Sequence, residues 1–147
     1  MFDTAYLSLI GRVFLGLIFL ISAIHKIADP QGTQQYMMAM GMTWTTMLFY
    51  LGAVTVELVG SLSLLLGYRS RAGAWLLFLF LIPTTLIFHT QFGDPNQMIH
   101  FLKNVSIMGG LLYVTSHGAG ALSMDAGLER SNEVIPPPRR LRKVVHQ

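Results

Sequence analysis

The 147-residue chain has the composition of a membrane protein. Hydrophobic residues make up 52% of it and charged residues only 12%, proportions that soluble domains of this size do not show. Its length allows one small helical bundle and excludes a separate soluble catalytic domain, so any chemistry must lie in or beside the membrane-embedded part. The chain contains no cysteine, which excludes dithiol redox exchange and thiolate metal sites within it.

Four apolar segments are long enough to cross a hydrocarbon core of about 30 Å as helices. They cover about residues 5–25, 44–67, 72–89 and 95–117, and their continuous apolar runs are unlike the alternating pattern of barrel strands. Between the first two segments, Asp29 and Pro30 are typical of a helix start and Gly41 of a helix end. The sequence therefore predicts an all-α, integral membrane four-helix bundle with a short interfacial helix over about residues 30–40.

The positions of the basic residues predict the orientation of this bundle. With four crossings, both termini lie on the same side as the loop between the second and third segments. That side collects seven of the ten lysines and arginines, namely Arg69, Arg71, Arg130, Arg139, Arg140, Arg142 and Lys143. Because positively charged segments mark the cytoplasm, both termini are predicted to be cytoplasmic, in the inner membrane of a bacterium.

The chain divides into two parts by composition. Residues 1–125 are predicted to form the transmembrane domain, and residues 126–147 a basic, disordered cytoplasmic tail. Attraction between this tail and anionic lipid accounts for the net positive charge, so no nucleic-acid partner is predicted.

A carboxylate, Glu57, lies near the middle of the second apolar segment. It shares a helical face with Ala53 and Gly60, and charged and small residues on one face are typical of closely packed transmembrane helices. At about 1.5 Å of helix per residue, Arg12 reaches Glu57 from the cytoplasmic side and Lys103 from the outer side. The spacing does not choose between these two partners.

Two interpretations of the buried charges remain open. An acid and a base on facing helices can simply fix the register of the bundle. Alternatively, the polar residues form a proton path or a pocket for the head group of a lipid-soluble ligand such as a quinone. Histidine and lysine side chains can donate hydrogen bonds to quinone carbonyls, and a desolvated glutamate can take up a proton.

The second interpretation defines a set of candidate site residues. The candidate catalytic residues are Glu57, Lys103 and His89. The candidate ligand-binding residues are Arg12, His25, Lys26, His100 and Asn104. No covalent cofactor is predicted, and a quinone is the candidate ligand.

A methionine-rich stretch raises the question of a copper site. Four methionines lie within residues 37–42, and thioether sulfur suits Cu(I). No cysteine or patterned histidine accompanies them, and methionine commonly fills irregular apolar surfaces, so we interpret them as packing residues and predict no metal site.

Four stretches of the chain resemble the DoxX family of small bacterial membrane proteins. They read GRVFLGLIFLISAIHKIADP, AVTVELVGSLSLLLGYRSR, LIPTTLIFHTQF and FLKNVSIMGGLLYVTSHGAGALSMD. The resemblance extends over about residues 12–125. The polar residues that match the family by position are Arg12, Lys26, Glu57, His89, Lys103 and Asn104.

Two alternative functions are consistent with the resemblance and with the buried charges. Relatives in this family include a subunit of thiosulfate:quinone oxidoreductase, and some members are associated with membrane complexes that handle oxidative stress. The first hypothesis is therefore a quinone-linked redox subunit, which if enzymatic would be a quinone-reducing component. The second is a non-catalytic module that stabilises or recruits other membrane proteins. Either way, the expected partners are the lipid bilayer and other membrane or redox subunits, or a second copy of the chain.

Overall fold

The computed structural model of the protein describes residues 3–134, and these residues form six helices and no strand. The helices are α1 (Thr4–Ala28), α2 (Pro30–Ala39), α3 (Thr46–Leu66), α4 (Ser70–Phe88), α5 (Pro95–His117) and α6 (Met124–Val134). The predicted all-helical class is confirmed for this part of the chain.

Three of the helices are long and apolar enough to cross a membrane. These are α1, with 25 residues, α3, with 21, and α4, with 19. Helix α5 has 23 residues and is also long enough to cross, but it is less apolar. Its first half contains His100, Lys103 and Asn104, which lower its mean hydropathy.

The long helices pack in an order that follows the chain. Helix α1 packs against α3, α3 against α4 and α4 against α5, whereas α1 and α5 make few contacts with each other. Helix α2 lies at one end of these helices and α6 at the other, and we refer to the α2 end and the α6 end accordingly. Between the two ends lies a core whose buried members are Phe19, Leu64, Ala74, Leu77, Leu81, Leu111 and Val114.

Small residues bring α3 and α4 close together towards the α6 end. The Leu77 side chain lies directly over Gly60, and the Ser63 side chain lies over Gly73. Towards the α2 end the fit is looser, because Gly52 of α3 and Phe80, Pro83 and Ile87 of α4 line a cavity there. The interface between α3 and α4 is therefore tight in one half and open in the other.

Helix α2 confirms the prediction of a short helix after α1. The Asp29 carboxylate accepts a hydrogen bond from the backbone N–H of Gly32, and Pro30 opens the helix. Its buried Met37 packs with Tyr50 and Ala53 of α3, in agreement with the interpretation of this methionine as a packing residue.

The C-terminal part of the described chain contains a further helix, α6. The chain from Met124 to Val134 is helical, and this helix includes the first residues of the segment that was predicted to be a disordered tail. The Ser123 hydroxyl accepts a hydrogen bond from the N–H of Ala126 and so supplies the helix with an N-terminal cap. The basic residues from Arg139 to Lys143 lie outside the described residues.

Candidate functional site

The carboxylate of Glu57 is paired with the ammonium of Lys26. Lys26 Nζ lies 2.9 Å from both Oε1 and Oε2 of Glu57, and the Glu57 side chain is only 5% exposed. The Ser22 hydroxyl accepts from Lys26 Nζ at 2.6 Å and donates to Glu57 Oε1 at 3.1 Å. The Glu57 carboxylate, the Lys26 ammonium and the Ser22 hydroxyl thus form a hydrogen-bonded triad between α1 and α3.

This pairing corrects the expectation that Glu57 binds Arg12 or Lys103. Side chains on an α-helix lean towards its N-terminus. Helices α1 and α4 begin at the α6 end, whereas α3 and α5 begin at the α2 end. Glu57 and Lys103 therefore both lean towards the α2 end and Arg12 leans towards the α6 end, so neither base approaches the carboxylate. Lys26 leans back along α1 towards Glu57 and meets it.

A second polar group lies at the α2 end, where α4 meets α5. His89 Nδ1 lies 2.8 Å from the side-chain oxygen of Gln97, so His89 donates from Nδ1 and its Nε2 is free to accept. Lys103 Nζ lies 3.3 Å from His100 Nδ1, and the rings of His89 and His100 are 5.2 Å apart. The structure thus brings together three of the predicted residues in one cluster.

Asn104 is buried on the inner face of α5. Its Nδ2 donates to the Thr85 hydroxyl at 3.0 Å, and that hydroxyl donates to the carbonyl of Leu81. This leaves Asn104 with a second N–H and an amide oxygen available for further hydrogen bonds.

A cavity of about 1120 Å³ joins these polar groups. Of the eight predicted site residues, six line it, and these are His25, Lys26, Glu57, His89, Lys103 and Asn104. Most of the remaining lining comes from apolar and aromatic side chains of α1 to α4. Such a cavity, apolar with a few convergent polar groups, is typical of a binding site for a small ligand.

Arg12 takes no part in this cavity, in contrast to its predicted role in ligand binding. Its guanidinium donates to the carbonyl of Ala119 at 2.8 Å and to that of Leu122 at 2.9 Å. It is 2% exposed and lies 14 residues before Lys26, or about 21 Å along α1. Arg12 therefore anchors the segment between α5 and α6 through these two hydrogen bonds. His100 also lies outside the cavity lining and contacts it through Lys103 and His89.

Asp125 forms a second anchor at the α6 end. Its carboxylate accepts from the backbone N–H groups of Arg69 and Ser70 and from the Ser70 hydroxyl. Partial burial acts to raise the pKa of Asp125, but these hydrogen bonds, together with the charge of Arg12, hold the pKa below its ordinary value. The carboxylate thereby caps the start of α4.

Two contributors to the site were not predicted. Ser22 completes the Lys26–Glu57 set, and the Tyr50 hydroxyl donates to the backbone carbonyl of Lys26 at 3.1 Å. Ser22 lies four residues before Lys26, a spacing that places both on one helical face, so the sequence did contain a signal for it. No comparable signal connects Tyr50 to α1.

Apolar helices of membrane-spanning length, enclosing a cavity with buried charged groups, define a small integral membrane protein. The comparisons with known proteins agree with this class. The chain belongs to the DoxX family, whose model matches residues 7–90, and the predicted family resemblance is confirmed. The matched range includes Lys26, Glu57 and His89.

Three relatives illustrate the similarity. The inner membrane protein YphA of Escherichia coli strain K12 is 38% identical over 125 residues, which cover 81% of this chain and 88% of that protein. The inner membrane protein YqjF of the same strain is 32% identical over 122 residues, or 83% and 92% of the two chains. The ER-derived vesicles protein ERV29 of Saccharomyces cerevisiae is 28% identical over 125 residues, or 82% and 33%. No solved structure matches the chain.

Proposed function

We propose that this protein is a quinone-linked membrane subunit of a redox or oxidative-stress complex. The observation that carries the proposal is the single cavity in which Lys26, Glu57, His89, Lys103 and Asn104 meet an otherwise apolar lining. A water-soluble substrate gains little from such a lining, whereas a lipid-soluble head group with two carbonyls matches both its apolar walls and its polar donors.

The donor set fits a quinone head group. Lys103 Nζ has N–H groups beyond the one that contacts His100, and Asn104 keeps one amide N–H after binding Thr85. A bound quinone would supply two-electron chemistry coupled to the uptake of two protons. The electrons would come from a partner redox subunit. Within this chain, Glu57 would hold a proton, and His89 would accept a hydrogen bond at Nε2.

Quinone binding by the purified protein tests this proposal. The protein would be extracted in mild detergent, and co-purified quinone would be measured by chromatography. The affinity for decylubiquinone would then be compared between the wild type and Glu57→Gln, which keeps the shape and removes the charge. We expect Glu57→Gln to weaken binding about fivefold or more. Glu129→Gln makes the same change on exposed α6 and should have no effect. Absence of co-purified quinone, together with equal affinities, would contradict the proposal.

A second function, a non-catalytic module that recruits or stabilises partner proteins, is favoured by one observation. The side chains of Lys26, Ser22 and Glu57 form hydrogen bonds to one another. Such mutual bonding is expected of a structural ion pair that holds α1 to α3. This function predicts that the reversed pair, Lys26→Glu with Glu57→Lys, restores the expression that each single change reduces. Failure of a folded double variant to support partner recruitment would count against it.

We further propose the membrane arrangement predicted from the sequence. Helices α1, α3, α4 and α5 would cross as a four-helix bundle in a bacterial inner membrane, with both termini in the cytoplasm. The names of the two Escherichia coli relatives support the choice of membrane. The basic residues Arg69, Arg71 and Arg130 at the α6 end support the orientation. A second copy of the chain or another redox subunit would complete the complex.

A further inference from the structure

The cavity has two chemically different sides. Its lining from α1 and α5 is rich in polar groups and includes Ser22, Lys26, Lys103 and Asn104. Its lining from α3 and α4, apart from Glu57 and Thr84, is apolar and includes Phe49, Gly52, Phe80, Pro83 and Ile87. A ligand that fills the whole cavity must therefore combine a polar part with an apolar part.

The apolar side is open to the membrane-facing surface. Phe49 is 48% exposed and Ile87 is 41% exposed, and Gly52 and Pro83 are exposed as well, yet all four line the same cavity as the buried Glu57. Because the outer surface of α3 and α4 faces lipid in an integral membrane protein, the cavity is continuous with the bilayer between these two helices.

Between α3 and α4, the opening is confined to one half of the interface. Towards the α6 end, Leu77 lies over Gly60 and Ser63 lies over Gly73, so no space remains between the helices. Towards the α2 end, Gly52 of α3 and Pro83 of α4 line the cavity instead, and a side chain on Gly52 would meet no atom within 4 Å. Pro83 lies opposite in α4, where its missing N–H removes one backbone hydrogen bond of the helix. The opening thus lies on the half of the bundle that contains the polar cluster.

We propose that the cavity binds a single-chain amphiphile, which enters from the bilayer between α3 and α4. Its polar head lies beside Lys26 and Lys103, and its hydrocarbon tail leaves the cavity past Gly52 into the lipid. Only the identity of the head group as a quinone rests on the function proposed above. The route of the tail rests on the shape of the cavity alone.

A probe without a quinone tests the route of the tail. Protein in lipid nanodiscs would be irradiated with a palmitic acid analogue that carries a photoreactive diazirine on its chain, and the labelled residues would be identified by mass spectrometry. We expect labelling at Ala53 and Thr84 inside the cavity, and its loss in Gly52→Phe, in which the new ring fills the opening. Labelling of the lipid-facing Leu102 should be unchanged.

Gly109→Phe is the matched control for this variant. Gly109 is also an exposed helical glycine with nothing within 4 Å of a side-chain position, but it does not line the cavity. This change should leave the labelling of Ala53 and Thr84 as in the wild type. Gly52→Leu serves as a smaller block if the phenylalanine variant does not fold. Wild-type protein without label at Ala53 and Thr84, or a folded Gly52 variant that labels normally, would overturn the proposal.

Two quinones separate this inference from the proposed function. Decylubiquinone carries a ten-carbon tail, and duroquinone has none. Gly52→Phe should lower the affinity for decylubiquinone about tenfold, by steric conflict with the tail, and change that for duroquinone less than about twofold. Wild-type protein that binds neither quinone contradicts the proposed function, and the labelling experiment still decides the tail route. Equal losses for both quinones, or no loss for either, would contradict the tail route while the quinone function stands.

Discussion

Lys26 Nζ contacts both carboxylate oxygens of Glu57 at 2.9 Å across the interface between α1 and α3. Removal of one partner from a buried ion pair leaves the other charge without compensation. We expect Lys26→Met to reduce the free energy of unfolding by about 2 kcal/mol, below the limit of roughly 3–5 for fully buried pairs, because the Lys26 side chain is 21% exposed.

Thermal unfolding in detergent, followed by size-exclusion chromatography of the heated samples, measures this loss. Lys103→Met is the matched control, since Lys103 is exposed and contacts a histidine rather than a carboxylate. The double variant Lys26→Met with Glu57→Gln should recover most of the stability. A single variant as stable as the wild type would show that the pair contributes nothing to folding.

The contact of Leu77 with Gly60 predicts a steric effect at the interface between α3 and α4. Gly60→Val places two methyl groups where the Leu77 side chain lies, and such overpacking costs about 1–3 kcal/mol. Gly109→Val has open space around it and should change stability far less. The same heating assay compares the two variants. Equal thermal stability of Gly60→Val and Gly109→Val would mean that α3 and α4 can move apart without a loss of free energy of unfolding.

The hydrogen bonds of Arg12 are expected to protect the segment between α5 and α6 from protease cleavage. Arg12→Gln removes the charged hydrogen bonds to the carbonyls of Ala119 and Leu122. Each such bond contributes about 1.5–3 kcal/mol, and a tenfold change in rate corresponds to about 1.4 kcal/mol, so we expect protease cleavage within residues 118–125 to accelerate at least about tenfold. Arg69→Gln, at an exposed arginine, is the control. An unchanged cleavage rate in Arg12→Gln would refute this anchoring role.

The lowered pKa of Asp125 predicts how pH affects the same anchor. A group with a lowered pKa in the folded state stabilises it above its ordinary pKa, which is 3.8 here, and this contribution disappears as the pH falls through the lower folded value. Asp125→Asn should therefore be cleaved faster than the wild type at pH 7 and pH 5 by the same ratio. As the pH falls through the lowered pKa of the folded state and the wild-type carboxyl becomes protonated too, the two rates should converge. A ratio that changes between pH 7 and pH 5 would assign the effect to another group.

The proposed orientation predicts the behaviour of reporter fusions. Alkaline phosphatase is active only outside the cytoplasm, whereas green fluorescent protein exported in unfolded form does not fluoresce. Phosphatase fused after Gly93, in the loop between α4 and α5, should be active, and a fluorescent protein at the C-terminus should fluoresce, because the basic residues hold the α6 end inside. The reverse pattern would invert the bundle and place the polar cavity in the cytoplasmic half.

Helix positions were predictable because they depend on local chemistry. Asp29 with Pro30 marks a helix start whose capping hydrogen bond the structure shows. The buried face of α3 was predictable too, since Ala53, Glu57 and Gly60 all lie on it, as the helical spacing indicates. These features need only the period of the helix and the preferences of single residues.

The partner of Glu57 was not predicted, because depth along the helix axis was considered without the direction of the side chain. Arg12 and Lys103 lie at suitable depths but lean away from the carboxylate, and Lys26 leans towards it. The start of α6 was missed for a different reason. Its Ser123 cap lies next to a polar, basic stretch whose composition alone is typical of disorder. The orientation, the quinone and the partners remain predictions.

Leu64, Leu77 and Leu111 are completely buried between the Lys26–Glu57 pair and the Arg12 anchor. The Ser61 side chain is also completely buried one turn before Leu64, but its hydroxyl donates to the carbonyl of Leu58 in the same helix, so apolar side chains make up most of this layer. The buried leucines therefore separate the Lys26–Glu57 pair from the Arg12 anchor by a layer in which an unpaired charge would be costly.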